Sequence, residues 1–208
     1  MSELELPPNE GGPRLPGLAV LGQSRHWDAA TSEAIEDRVG PLAPIRFFTE
    51  HEADTATALF ALLLDQADDP RIPVTNMVDS RLVGVETDGW HYEDMAIDPE
   101  AWRLSLKWLD EDAHNLELKT FVELAVRDRV RIIQRVQDLG SDPWHGVSAA
   151  HIWSLWTRYA CTAFYSHPLA WQEIGFAGPA YPRGYKNLGI DRREPFEVRD
   201  VQSDLAYG

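Results

Sequence analysis

The chain has 208 residues, and its 34 acidic and 19 basic side chains give a formal net charge of −15. This charge repels nucleic-acid phosphates and anionic membrane surfaces, so we expect no nucleic acid as a partner. A membrane-spanning helix needs about 20 apolar residues, and no apolar run in the chain approaches that length, so we also expect no membrane span.

Residues 1–45 are predicted to form an extended arm. Prolines and glycines are frequent there, only Trp27 to Val39 could form a short helix, and the apolar residues are too few for a separate core. Such an arm either stays disordered or lies along a neighbour. Its first residues are acidic where a signal peptide is basic, and they contain no twin arginine. We therefore expect a cytoplasmic location, or a periplasmic one if a signal was removed or the partner supplies it.

A helical bundle is expected over residues 46–166, and it begins with two helices. The run Thr49-Glu50-His51-Glu52 has the spacing of a capping box. Apolar residues then recur at helical spacing until the chain reaches Pro70. A second, shorter helix is predicted over Pro73 to Leu82, with apolar residues on one face.

Two longer helices are predicted in the middle of the bundle, after an irregular stretch from Gly84 to Ile97. Asp98-Pro99 is expected to supply an N-cap followed by proline at the first helical position. The spacing of Thr120 and Glu123 predicts a second capping box. The helix that it starts is expected to continue to Gly140.

The last long helix is predicted from an N-cap at Ser148 to the break at Pro168. Its apolar residues cover most of its circumference, so it is either central in the bundle or sandwiched between the bundle and a partner. Cys161 falls within this apolar pattern and is the single cysteine of the chain. A buried free thiol is therefore favoured, and an intersubunit disulfide is left open.

These patterns predict an all-α fold. We find no strand pair with hairpin chemistry and no internal repeat, and we expect an irregular helical bundle of about five helices. The bundle carries the extended N-terminal arm at one end and an aromatic, Pro/Gly-rich C-terminal segment at the other. Residues 167–208, which hold the aromatic loop and the tail, are expected to belong to the same domain.

The stretch from Ala163 to Gly189 is the best candidate for a partner interface. It is aromatic, interrupted by proline and glycine, and nearly free of charge in an acidic protein. A rigid loop that offers aromatic side chains is suited to docking, with Trp171 and Tyr181 as anchors. The alternative is that both rings fold back onto the bundle. The predicted interface residues are Phe164, Tyr165, His167, Trp171, Glu173, Phe176, Pro179, Tyr181, Pro182, Arg183 and Tyr185.

No self-contained active site is evident from the sequence. The chain has no G-x-G-x-x-G or G-x-x-x-x-G-K pattern for a nucleotide or flavin. The acidic run from Asp110 to Asp112 has the appearance of an exposed helix face, and Ser166 beside His167 lacks the surroundings of a nucleophile. We therefore assign no catalytic, cofactor-binding or metal residue. A rival hypothesis is a stand-alone helical enzyme whose metal or cofactor is held by residues such as Glu52, Glu100, His145 and His151.

Several motifs resemble the gluconate 2-dehydrogenase subunit 3 family. They are FYSHP at 164–168 with Trp171 and EIGFAGPAYPRGY at 173–185, together with the weaker FFTEHE at 47–52 and IPVTNMVD at 72–79. The resemblance covers most of the chain from Phe47 to Gly189. Many members have Gly-Gly-Asn after the aromatic turn, where this chain has Leu169-Ala170, so it resembles a divergent branch.

The resemblance implies a small accessory subunit of an FAD-dependent sugar or polyol dehydrogenase of the glucose-methanol-choline class. The partner would be the large subunit, with FAD and the histidine base in that partner, and no cofactor would be bound by this chain. We accordingly expect a non-catalytic small subunit that binds and stabilises the large subunit of a sugar or glycoside dehydrogenase or oxidase. An assembly chaperone that leaves after flavin loading is the related alternative, and a higher-order hetero-oligomer is left open.

Overall fold

A computed structural model describes residues 19–66, 71–190 and 192–197. These residues form seven α-helices, two short 3-10 helices and one small hairpin, so the predicted all-α class is confirmed. The α-helices are α1 (Ala29–Val39), α2 (Glu50–Leu63), α3 (Val74–Val83), α4 (Asp98–Glu117), α5 (Val126–Leu139), α6 (Ala149–Ser166) and α7 (Pro168–Ile174). The 3-10 helices are Leu21–His26 and Phe121–Glu123, and the strands are β1 (Pro143–Trp144) and β2 (Val147–Ser148).

The chain divides into two compact units. Residues 42–164 form one, here called the central unit, and described residues 19–41, 165–190 and 192–197 belong to the other, the terminal unit. Residues 1–18 of the predicted arm and 198–208 of the predicted tail lie outside the described residues. None of the helices in the described part of the chain combines the length and the apolar character needed to cross a bilayer.

The core of the central unit is built on the inward face of α6. Trp156 and Tyr159 on this helix and Trp102 on α4 are almost fully buried, and α2 packs on both α3 and α4. The Trp102 and Tyr159 rings meet edge to face at 5.7 Å, an arrangement that aromatic pairs favour. The buried stripe of α6 is opposed by a second, more exposed face that includes Cys161.

The exposure of Cys161 corrects one expectation. Its thiol is free and exposed, and so is the adjacent Thr162, whereas Ala160 and Ala163 are buried. Hydrophobicity nearly all round α6 concealed which of its faces packs inward.

Two helix starts differ in how well they follow local signals. The Thr49 capping box is present, with the Thr49 N–H donating to Glu52 Oε2 at 2.8 Å, and α2 begins where expected. Asp98 is not an N-cap, because Ile97 takes that place. The Asp98 carboxylate is buried and accepts a hydrogen bond from the Tyr159 hydroxyl at 2.7 Å. Burial against a distant tyrosine has therefore replaced the expected local role.

The second capping box forms, but it does not start the long helix. Glu123 accepts hydrogen bonds from the Thr120 N–H and hydroxyl, both at 2.8 Å, and this closes only the 3-10 turn Phe121–Glu123. The chain is extended at Leu124 and Ala125, and α5 begins at Val126. The predicted single helix is therefore two segments.

The small hairpin contradicts the expectation that no strand pair would form. β1 and β2 are antiparallel, with Pro143 opposite Ser148 and Trp144 opposite Val147. The two turn residues, His145 and Gly146, have φ values of 50° and 90°, which suit a tight hairpin turn. Strands of two residues are too short for the alternation that identifies a strand in a sequence.

The terminal unit has a small core of its own. Val20, Leu21, Trp27, Ile35 and Trp171 form one buried cluster. The predicted short helix within the arm is confirmed as α1, whose N-cap Asp28 accepts from the Thr31 N–H at 2.9 Å. The helix α7 was not anticipated, because Pro168 was expected only to end α6.

Candidate partner interface

The two weaker N-terminal motifs meet at one buried carboxylate. Asp79, the last residue of IPVTNMVD, is completely buried on α3. Its two oxygens accept hydrogen bonds from the backbone N–H groups of Arg46 at 2.8 Å, Phe47 at 2.9 Å and Phe48 at 2.9 Å. A carboxylate that satisfies three backbone donors fixes the entry to α2. The contact between the two motifs therefore has a structural role.

The helix α7 lies within the candidate interface. His167 is the N-cap, and its Nδ1 accepts a hydrogen bond from the Leu169 N–H at 3.2 Å. Pro168 occupies the first turn, where its missing N–H costs nothing. Leu169 and Ala170, which replace the Gly-Gly-Asn of the related family, are both buried on this helix. Helical packing thus accounts for their apolar character.

The segment after α7 is held against Trp27 by two contacts. The Trp27 indole N–H donates to the carbonyl oxygen of Pro179 at 2.9 Å. Gly178 has a φ of 84°, and a Cβ there would lie 2.8 Å from Cζ2 of Trp27. Only glycine permits both that backbone conformation and that close approach. The Pro/Gly turn is therefore an ordered structure fixed by a distant residue.

Trp171 and His167 are packed inside the chain, contrary to the expectation that they face a partner. Trp171 is 7% exposed in the cluster around Trp27, and its indole N–H donates to the carbonyl oxygen of Tyr165 at 2.6 Å. His167 is buried, and this burial lowers the pKa of its imidazole below the usual value. The Trp171 ring therefore folds back into the protein, as in the alternative to an anchor role.

Tyr181 is the contrasting case. It is 64% exposed, and the rings of Tyr165, Phe176 and Tyr185 are also exposed. Phe176 packs edge-on against Trp171 at 5.4 Å, which fixes one side of its ring and leaves the other accessible. The structure therefore offers aromatic surface on a segment that is itself anchored.

Most of the remaining predicted interface residues are half-buried, and one is exposed. Phe164, Glu173 and Pro179 are half-buried, and Pro182, which follows a cis peptide bond, is exposed. Arg183 is half-buried and donates from Nη1 to Gln23 Oε1 at 2.9 Å.

Three further exposed apolar side chains were missed by the sequence prediction. Ile174, Leu188 and Ile190 are all largely exposed in the same terminal unit. They lie within or directly after the aromatic segment, so their position in or beside that segment was the signal that could have identified them. Aliphatic side chains were not weighed there because the aromatic residues dominated the pattern.

Glu194 stabilises the end of the aromatic segment, around Lys186 and Asn187. It is buried, and its carboxylate accepts hydrogen bonds from the backbone N–H groups of Lys186 and Asn187. These bonds, that from Asn187 above all, lower the pKa of the Glu194 carboxyl. An ionised Glu194 therefore stabilises the turn around Lys186.

The residues of the rival metal hypothesis are not brought together. Glu52 pairs with Arg103 at 2.6 Å, and His151 pairs with Asp94 at 2.7 Å. His145 contacts Asp112 at 3.0 Å. Within residues 19–66, 71–190 and 192–197, no three His, Cys, Asp or Glu side chains are grouped so that they could hold a metal ion.

The acidic run on α4 is more than the exposed face that we expected. Asp110 contacts His51 Nε2 at 2.6 Å and accepts from the Phe121 N–H at 2.8 Å. Asp112 accepts from the Trp144 indole N–H at 2.9 Å. These carboxylates connect separate elements of the central unit, and their role is structural.

Comparison with models of protein families identifies the family of this chain. The family model described as "Gluconate 2-dehydrogenase subunit 3" matches residues 50–178. The matched range includes α2 to α7 and ends at Gly178, beside Trp27. No curated protein matches the chain. No solved structure matches it either.

Proposed function

The chain belongs to the gluconate 2-dehydrogenase subunit 3 family, and we propose that it is a non-catalytic small subunit that binds and stabilises a large FAD-dependent dehydrogenase or oxidase. The large subunit acts on a sugar or glycoside. The observation that carries the proposal, beside the family, is the aromatic surface of the terminal unit, with Tyr181 64% exposed and Tyr185 49% exposed.

Exposed aromatic rings on an ordered segment favour binding for two reasons. Tyrosine and phenylalanine bury a large area when they enter a pocket, and they dominate the binding energy of many protein interfaces. A segment that is already fixed loses little conformational freedom on binding. The contacts of Trp27 with Pro179 and of Glu194 with Asn187 fix this segment in the free chain. The interface is therefore preorganised.

The proposed division of labour assigns the chemistry to the partner. The large subunit holds FAD and the base that takes the proton from the substrate hydroxyl group, and the hydride passes to the flavin there. This chain stabilises the geometry of that subunit. Its exposed aromatic residues are the contact points, whereas its buried residues Trp171 and His167 support them from within.

The test is co-expression of the full chain with a candidate large subunit, a flavoprotein of the proposed FAD-dependent class. We expect the two proteins to co-purify as a stable, flavin-containing complex. Tyr181→Ala should weaken the complex by roughly thirtyfold, the usual cost of truncating an aromatic anchor. Leu42→Ala is the matched control, because Leu42 is 63% exposed and lies outside the predicted interface.

The affinity of each variant is measured by titrating the labelled chain against the purified flavoprotein. Equal affinities for Tyr181→Ala and Leu42→Ala would remove the aromatic segment from the interface. Absence of any complex with the flavoprotein, combined with metal-dependent activity of the chain alone, would favour the rival enzyme hypothesis.

A further inference from the structure

A cleft of about 360 Å³ lies within the terminal unit, beside the segment that follows Pro182. It adjoins the exposed ring of Tyr185, whose centre lies 5.8 Å from that of Phe196 in the cleft lining. It is lined by Gln23, Arg25, His26, Arg183, Gly184, Lys186, Glu194, Pro195 and Phe196.

The cleft is locally basic in a chain whose net charge is −15. Arg25, Arg183 and Lys186 contribute three positive charges to its lining, and Glu194 is the one acidic residue there. The Glu194 carboxylate is already engaged by the backbone N–H groups of Lys186 and Asn187. The lining of the cleft therefore has more cationic than acidic side chains, and its one carboxylate is bound to backbone N–H groups.

Arg183 has one free edge. Its Nη1 donates to Gln23 Oε1 at 2.9 Å, and its guanidinium carbon lies 3.5 Å from the centre of the Phe196 ring. Nε and Nη2 are buried, and neither has a hydrogen-bond acceptor in the described structure. Leaving such charged donors buried and unsatisfied is unfavourable, so an acceptor at this edge would stabilise the group.

The free atoms are the pair that an arginine uses side-on. Nε and Nη2 carry two parallel N–H groups, whose spacing matches the two oxygens of a carboxylate. The Phe196 ring covers one face of the guanidinium group, and Nε and Nη2 are buried, so a ligand reaches them in the plane of that group once the side chains that cover them move aside. A planar carboxylate fits this approach.

We infer that this cleft binds a carboxylate group, held side-on by Nε and Nη2 of Arg183 with added positive charge from Lys186 and Arg25. Its source is either a small organic acid or an acidic side chain of another protein. The inference does not depend on the proposed function, because the unsatisfied edge of Arg183 is a property of this chain.

The test is titration of the full ¹⁵N-labelled chain with sodium acetate, followed by NMR of the arginine Nε–H signals. The Arg183 signal is identified by its loss in Arg183→Lys. We expect it to shift saturably with acetate and not with sodium chloride at equal ionic strength. Arg183→Lys keeps the charge but not the fork. Acetate binding to this variant is followed by the backbone amide signal of Lys186 in the cleft lining, and it should be weaker by at least roughly tenfold.

Two further variants make the result specific. Lys186→Gln leaves the Arg183 fork intact and should weaken acetate binding moderately. This variant also tests the cleft if Arg183→Lys does not fold. Arg135→Lys, on the exposed face of α5, should leave acetate binding unchanged. A response of Arg183 to acetate no larger than its response to chloride would overturn the inference. Tighter binding of inorganic phosphate than of acetate would overturn the assignment to carboxylates.

A second titration identifies the source of the carboxylate. In the complex with the large flavoprotein, an acidic side chain of that partner would occupy the cleft and abolish the acetate shift. Persistence of the shift in the complex would assign the site to a small organic acid. Absence of the flavoprotein complex would contradict the proposed function alone, because the titration of the free chain would still test the cleft.

Discussion

The indole N–H of Trp27 donates to the carbonyl oxygen of Pro179 at 2.9 Å, across 152 positions of sequence. This bond ties the predicted arm to the aromatic segment within one compact unit. The same tryptophan ring lies against Gly178, so the turn is fixed by a hydrogen bond and by close packing. The stability of the segment should therefore depend on residues far from it in the chain.

Gly178→Ala should destabilise the terminal unit by about 2 to 4 kcal/mol, because the added Cβ meets the Trp27 ring and alanine resists a positive φ. Gly184→Ala is the matched control. Gly184 also has a positive φ, of 69°, but a Cβ there would contact no atom within 4 Å. Urea unfolding followed by tryptophan fluorescence measures both. Equal losses for the two variants would mean that the contact with Trp27 contributes nothing.

Trp171→Ala should lower the free energy of unfolding by about 3 to 5 kcal/mol, since it empties a buried aromatic site. Tyr181→Ala should change it by no more than about 0.5 kcal/mol, because the Tyr181 ring is exposed. Calorimetry of the free chain separates the two. A stable Trp171→Ala protein whose complex is weakened would restore Trp171 to the partner interface.

Asp79→Ala should cost about 3 kcal/mol, because the backbone N–H groups of Arg46, Phe47 and Phe48 would lose their acceptor inside the protein. Asp54→Ala, at an exposed position of α2, should have little effect. Denaturant midpoints provide the measurement. A loss for Asp79→Ala no greater than that for Asp54→Ala would show that these hydrogen bonds do not stabilise the entry to α2.

The buried His167 predicts a pH dependence of stability. Burial lowers its folded pKa, so the unfolded chain binds a proton first as pH falls below about 6.5. The stabilisation is therefore complete above that pH and is lost progressively down to the folded pKa. Protonation of Nδ1 also removes the acceptor for the Leu169 N–H.

His167→Asn keeps an N-cap acceptor and removes the titration, so its free energy of unfolding should vary less between pH 8 and about pH 5.5 than that of the unaltered chain. His91→Asn, at an exposed position, serves as the control. Urea titrations across this pH range give the free energies. An unchanged slope in His167→Asn would assign the pH dependence to other groups.

Cys161 should react in the native chain, because its thiol is free and exposed. A thiol reagent such as DTNB should titrate one thiol per chain without denaturant. Cys161→Ser provides the blank. Reaction only after unfolding would show that the thiol is covered in solution.

Local signals in the sequence were sufficient where the interacting groups lie within one helical turn. The Thr49 capping box joins residues three apart, so its spacing alone predicted the start of α2. Composition and helical spacing likewise predicted the all-α class. The Thr120 box also formed, but the number of residues that continue as helix depends on what packs against them, and the helix restarted at Val126.

Only the tertiary structure decided which side chains are inside. Periodicity shows that α6 is apolar, but the position of the other helices determines that Trp156 is buried and Cys161 exposed. The contrast between Trp171 and Tyr181 has the same cause, because the cluster that covers Trp171 is supplied by Trp27 and its neighbours at the other end of the chain. Burial results from contacts between residues that are distant in sequence, and no local pattern contains them.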